Sequence, residues 1–304
     1  MLLDIYLGVA ATWFRRMLAP EWRRSANGRH MTGVLDGKVV VITGSTRGIG
    51  RAMAEACADA GATVVVSSRT PAAVDETVEA LRGRGATVSG TTCDVADPDA
   101  LEALLDHARS THGRVDVWVN NAGISLGLRT HIDTSPDEIR SIVDINLTGT
   151  MVASGMIVPY FIERGGGVLI NVSGRGGRGD PAAYTAAYAA TKAGVMVFTR
   201  SLAAEHRSDP VSILVFMPGM VDTDFYGEQM TVTPGLEPIV DNVRIVLDAI
   251  GTSIEAVGPA LVEAACTVPG TRSGDVHRAG SAIAGMAGGF KLLWARITGR
   301  MKPM

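Results

Sequence analysis

The sequence has little of what marks a disulfide-built, metal-built or nucleic-acid-binding protein. Three cysteines, Cys57, Cys93 and Cys266, are spread over 304 residues without a C-x-x-C pair or a neighbouring histidine pair. That spacing excludes a disulfide framework and a zinc site, so no metal is expected, and it reads as small apolar side chains in a reducing cytoplasm. Net positive charge is missing too: 28 basic residues against 31 acidic ones leave a formal charge of -3. No overall basic field therefore draws the chain onto nucleic acid. No repeat, low-complexity block or linker-like stretch interrupts residues 38 to 220, which makes one domain the simplest division.

What is present is an alternation of short β-branched runs with helix-length amphipathic stretches. The runs are 39–42, 63–66, 87–91, 115–119, 168–172 and 212–217, and the helical stretches include 51–60, 71–81, 100–110 and 136–162. Gly61 follows the first helix as a C-terminal cap would, and Ser135-Pro136 supplies an N-cap with proline behind it. This order predicts repeated βαβ units, hence an α/β doubly wound parallel sheet of the Rossmann type. The expected division is an extension with linker over 1–34, the dinucleotide-binding domain over 35–280 and a tail over 281–304. Met1 to Leu18 is apolar but broken by Asp4 and Gly8, and its Arg15 and Arg16 follow the apolar run instead of preceding it. It is too short to span a bilayer and has its charge on the wrong side for an export signal. Peripheral attachment to a membrane and packing on the body both remain open for it, as they do for the apolar Ser281 to Ile297 tail with Lys291, Arg296 and Arg300.

The first strand runs into Thr43-Gly44-Ser45-Thr46-Arg47-Gly48-Ile49-Gly50 and then a helix. Glycines at a strand-to-helix turn let a pyrophosphate approach backbone N–H groups at the helix N-terminus. The second strand ends at Ser67-Ser68-Arg69, with no acid where a dinucleotide enzyme reads the adenosine ribose. A carboxylate there would accept bonds from a 2'-hydroxyl and repel a 2'-phosphate. Arg69 and Arg47 in its absence favour NADP over NAD. Tyr188 and Lys192 stand four apart on a predicted helix, so the ammonium shares a face with a phenol that it would help to ionise. Tyr184, one turn earlier, has no such lysine and reads as packing or substrate contact.

The spacing G-x-x-x-G-x-G departs from G-x-G-x-x-G and resembles the short-chain dehydrogenase/reductase family. Asn120-Asn121-Ala122-Gly123, Tyr188-x-x-x-Lys192, Asn146 within Asp144-Ile145-Asn146-Leu147 and Pro218-Gly219 match that family's pattern in order over residues 36 to 225. The resemblance implies hydride transfer between nicotinamide and a carbonyl or alcohol carbon. It implies roles for Gly44, Ser45, Thr46, Gly48, Ile49 and Gly50 in the pyrophosphate turn, with Arg47, Ser68 and Arg69 at the ribose and its 2'-phosphate. Asp94 and Val95 would flank adenine, Asn120 would line the adenosine ribose beside Ala122 and Gly123, and Lys192 would also bind the nicotinamide ribose. Pro218, Gly219, Val221 and Thr223 would orient the carboxamide, and Asn146 would hold a water leading from Lys192 to solvent.

Relatives carry two serines after the fifth strand and use the second, but here the pair is Ser173-Gly174. Ser173 takes the catalytic role only if a bulge turns it toward substrate; a backbone N–H or Tyr184 is the alternative donor. Residues 225 to 241 resemble the family's variable lid and hold no arginine before Arg244, which points to a neutral or lipid-like carbonyl substrate. A ketoacyl-thioester reductase, with Arg175 and Arg178 at a basic entrance, is one competing reading. A dinucleotide-binding regulator without turnover is another. The resemblance also implies a homodimer or homotetramer, for which the apolar stretch Ala193 to Ala204 is suitable.

Overall fold

The computed structural model describes residues 31–223 and 231–280, together with Lys291 and Thr298. The readings for residues 1–30, for 224–230 of the expected lid and for most of the tail lie outside the described residues. The first half alternates β1 (Val39–Ile42), α1 (Gly48–Asp59), β2 (Thr63–Ser68), α2 (Pro71–Gly83), β3 (Val88–Thr92), α3 (Pro98–His112) and β4 (Val117–Asn120). The second half has α4 (Pro136–Val143), α5 (Gly149–Glu163), β5 (Gly167–Val172), α6 (Ala186–Glu205), β6 (Val211–Met217), α7 (Glu237–Ile250), α8 (Ile254–Ala265) and β7 (Val276–Arg278). The sheet is parallel throughout in the order β3-β2-β1-β4-β5-β6-β7. Its direction of winding reverses between β1 and β4, and in such sheets the crevice beyond the strand ends at that reversal is where ligands bind.

Side-chain alternation in the strands divides the core in two. Val40 and Ile42 join Met53, Val64, Val257 and Leu261 on one face, under α1 and α8. Val39 and Val41 join Leu101, Trp118, Ile157 and Phe161 on the other, under α3 and α5. Near-continuous apolar strands follow from cover on both faces. Trp118, Phe161 and Phe216 are the largest fully buried side chains among the described residues, and truncating such an aromatic costs about 3–5 kcal/mol.

The helix expected over 136–162 is interrupted. Ser135 forms a capping box with Glu138, which starts α4 as expected. A π-helical turn, Asp144–Thr148, then separates α4 from α5. Asn146 lies in this turn and is fully buried; such a turn inserts one residue and re-aims a side chain. The whole run Pro136–Glu163 is long and apolar enough to cross a membrane, but Ile142 is buried, and Ile157 and Phe161 are buried in the sheet's core. A short seventh strand and helices α7 and α8 complete the fold beyond the elements expected from sequence.

Candidate active site

A cavity of about 1220 Å³ opens at the C-terminal ends of the strands. The turn after β1 forms its floor: Gly44, Thr46, Arg47, Gly48, Ile49 and Gly50 all line it. Gly50 cannot carry a side chain, because a Cβ there would collide with the Gly44 carbonyl and lie 2.6 Å from Asn121 Nδ2. Helix α1 begins without a side-chain cap and without an acid in its first turn. Its leading N–H groups and dipole therefore favour an anion there. These features fit the pyrophosphate of a nicotinamide dinucleotide.

Ser68, Arg69, Asp94, Val95, Ala122, Gly123, Pro218, Gly219, Val221 and Thr223 line the same cavity. Two expected contacts are placed differently. Ser45 is fully buried; its hydroxyl donates to the Ile42 carbonyl at 2.7 Å and accepts the Ser67 N–H at 2.9 Å, clamping β1 to β2. Asn120 points into the core, where its amide donates to Asn171 at 2.9 Å and accepts the Trp118 indole N–H at 2.8 Å. A side chain at the end of a central strand alternates inward or outward, and at position 120 the inward side holds a polar network with Ser154. Asn121 lines the cavity instead, and its amide donates to the carbonyls of Thr43 and Gly44. It fixes the turn, as a turn-forming asparagine does.

Tyr188 and Lys192 meet on one face of α6, as their spacing requires. Lys192 Nζ lies 5.7 Å from the Tyr188 ring centroid and donates to the Val172 carbonyl at 3.0 Å. Burial pushes the Lys192 ammonium down to about 8. Asn146 approaches from the π turn: its Oδ1 accepts the Ile124 N–H at 2.8 Å, and its Nδ2 donates to the Ile124 carbonyl and to Thr191 Oγ1. A Cβ added at Gly123 would touch both Asn146 Oδ1, at 3.2 Å, and Lys192 Nζ, at 3.6 Å. The asparagine side chain thus pins the Gly123–Ile124 loop against the lysine.

Ser173 does not take the position expected of a catalytic serine. Its N–H donates to Phe216, so pairing with β6 continues and no bulge turns the residue. Its hydroxyl is buried and donates to the Lys192 carbonyl at 2.9 Å, bracing α6 from below. Gly174 is the residue that faces the phenol: a Cβ there would lie 2.7 Å from Tyr188 Oη. Tyr184 also lines the cavity, in a left-handed backbone conformation with φ 63°. For a non-glycine residue, that conformation at a ligand site is held by its surroundings; here the Tyr184 carbonyl accepts the Arg129 N–H at 2.8 Å.

Sequence reasoning missed the far wall, formed by Ile239, Val243, Val246 and Ile250 of α7 with Leu126 and Leu128 from the loop after β4. The α7 residues recur at i, i+4, i+7 and i+11, a stripe readable in the sequence.

Comparison with known proteins agrees with this fold. The profile of the short chain dehydrogenase family matches residues 38–231, and the chain belongs to that family of oxidoreductases. It is 36% identical over 204 residues to a chloroplastic protein of the chlorophyll(ide) b reductase type from Oryza sativa subsp. japonica. That match takes in 61% of this chain and only 40% of the relative's length. Among solved structures, the actinorhodin polyketide ketoreductase with NADPH superposes with a TM-score of 0.70 at 26% identity, covering 82% of this chain and 97% of that one. A 3-ketoacyl-(acyl-carrier-protein) reductase from Brucella melitensis complexed with NADH superposes with a TM-score of 0.68 at 25% identity, covering 80% and 96%. The family thus binds a nicotinamide dinucleotide, in its phosphorylated or unphosphorylated form.

Proposed function

We propose that the protein is an NADP(H)-dependent reductase of carbonyl compounds, or in reverse a dehydrogenase of secondary alcohols, with Tyr188 as its acid and base. The observation that carries this is the buried Lys192 ammonium beside the Tyr188 ring, in the cavity whose floor is the uncapped α1 turn. A bound NADPH supplies the hydride. In reduction the carbonyl carbon gains that hydride while its oxygen takes the proton from Tyr188 Oη, leaving a phenolate. Lys192 stabilises the phenolate because its cation sits close by in a site of low polarity. In oxidation the phenolate removes the hydroxyl proton. Asn146 and Ser173 act as positioning residues, the first through the Ile124 loop and the second through the α6 backbone.

The choice of NADP rests on Arg69 in the cavity lining and on the lack of an acid at the end of β2. Cytoplasmic residence agrees with three free cysteines. Pairing of copies through α5 and α6 is supported by Met151 and Val197, which are exposed on those helices.

Nicotinamide absorbance with a panel of ketones and aldehydes tests the reading. Tyr188→Phe is expected to lower kcat by about 10²-fold or more while NADPH still binds. Arg69→Ala should weaken NADPH binding by about tenfold or more and leave NADH binding nearly as it was. Unchanged turnover in the first variant overturns the acid–base assignment, and equal effects on both dinucleotides overturn the choice of NADP.

A further inference from the structure

Away from the α1 turn, the lining of the cavity combines two chemistries. The stripe on α7, with Val243 and Val246 buried, gives an apolar wall. The loop after β5 contributes Arg175, Arg178 and Asp180 to the same lining. Arg175 is half-buried, and it has no hydrogen bond or ion pair among the described residues. The half-buried Arg51, Arg129 and Arg164 each meet an acid, while Arg69, Arg200, Arg207 and Arg244, for which no such pair is formed among the described residues, are exposed to water. A guanidinium partly withdrawn from water without a counter-ion favours an anionic ligand, since only paired charges are comfortable there. Its position matters as well. Gly174 abuts Tyr188 Oη, and Arg175, the next residue in the chain, lines the same cavity as that phenol.

We infer that the substrate is an amphipathic carbonyl compound carrying one carboxylate or phosphate, with its apolar body on the α7 stripe and its anion on Arg175. This rests on the hydride-transfer reading and replaces the neutral substrate expected from the lid sequence. That expectation looked for an arginine in the lid, whereas the cation comes from the loop after β5.

A matched series run on the full chain tests it: oxo acids with increasing separation between ketone and carboxylate, their methyl esters, and the corresponding oxoalkyl phosphates. At the best chain length the acid or the phosphate should show a KM at least about tenfold below that of the ester. In Arg175→Ala this ratio should collapse toward one, and in Arg175→Lys it should recover in part. Whichever anion is preferred identifies the head group. Equal KM for acid and ester in the unaltered enzyme, or a ratio that survives Arg175→Ala, overturns the inference. Calorimetry with simple alkyl carboxylates separates the two layers of the argument. Arg175-dependent binding without turnover of any ketone would sink the hydride-transfer reading and keep the ligand class. Turnover indifferent to the anion would do the reverse.

Discussion

At the scale of single residues, the site depends as much on what is small as on what is reactive. Gly174 leaves room for the Tyr188 hydroxyl, and Ser173, one position earlier, braces the helix that carries it. A methyl group at position 174 would press on Tyr188 Oη from 2.7 Å. The phenol is the free end of a side chain and would swing aside. Gly174→Ala should therefore fold normally and bind NADPH as before, yet lose roughly tenfold to a hundredfold in kcat, the usual cost of a misplaced reacting group. Steady-state kinetics with a dinucleotide titration checks this, and an unchanged kcat would mean that the phenol does not act from its observed position. This division of labour was only half legible. The sequence marks 173 and 174 as the place to look, but whether a strand bulges at its last residue depends on pairing with β6, which a single segment does not encode.

At the scale of elements, the reading from sequence was strong where periodicity was strong. All six expected strands form within a residue or two of their runs, because strands covered on both faces stand out as β-branched blocks. The short edge strand Val276–Arg278 has only three residues to signal itself, and α7 was missed because its first residues, 237–241, were read as the end of the lid and the remainder was assigned to no element. The π turn is invisible to helical periodicity. Its anchor is Asn146, whose side chain satisfies both the N–H and the carbonyl of Ile124. Removing that amide strands buried partners at about 1–3 kcal/mol. Asn146→Ala should lower the urea midpoint accordingly and also reduce kcat, because the Gly123–Ile124 loop loses its tie to α6. Loss of stability with full activity would confine Asn146 to folding alone.

At the scale of the whole molecule, the parallel sheet brings loops from opposite halves of the chain to one edge. The turn after β1 comes from the first half, and the β5 loop, α6 and α7 come from the second. The cost of that convergence is a lysine held in the interior. Burial disfavours the charged form of Lys192 and moves it from the ordinary lysine value of 10.5 to about 8. For a base whose folded value is depressed, the unfolded chain binds more protons between the two values, so stability rises as pH climbs from about 8 toward 10.5. The cation that supports Tyr188 is lost over the same interval. Activity and stability should thus part company on the alkaline side, an outcome that neither the motif nor the fold alone would predict.

The most direct test is the pH profile of kcat/KM for NADPH, which reports ionisations of the free enzyme. It should fall along a limb of one proton centred near pH 8, where Lys192 gives up its charge, while thermal stability holds or improves across the same range. A profile that stays flat to pH 10 in a folded enzyme would contradict the account, because the phenol would then be working without its buried cation.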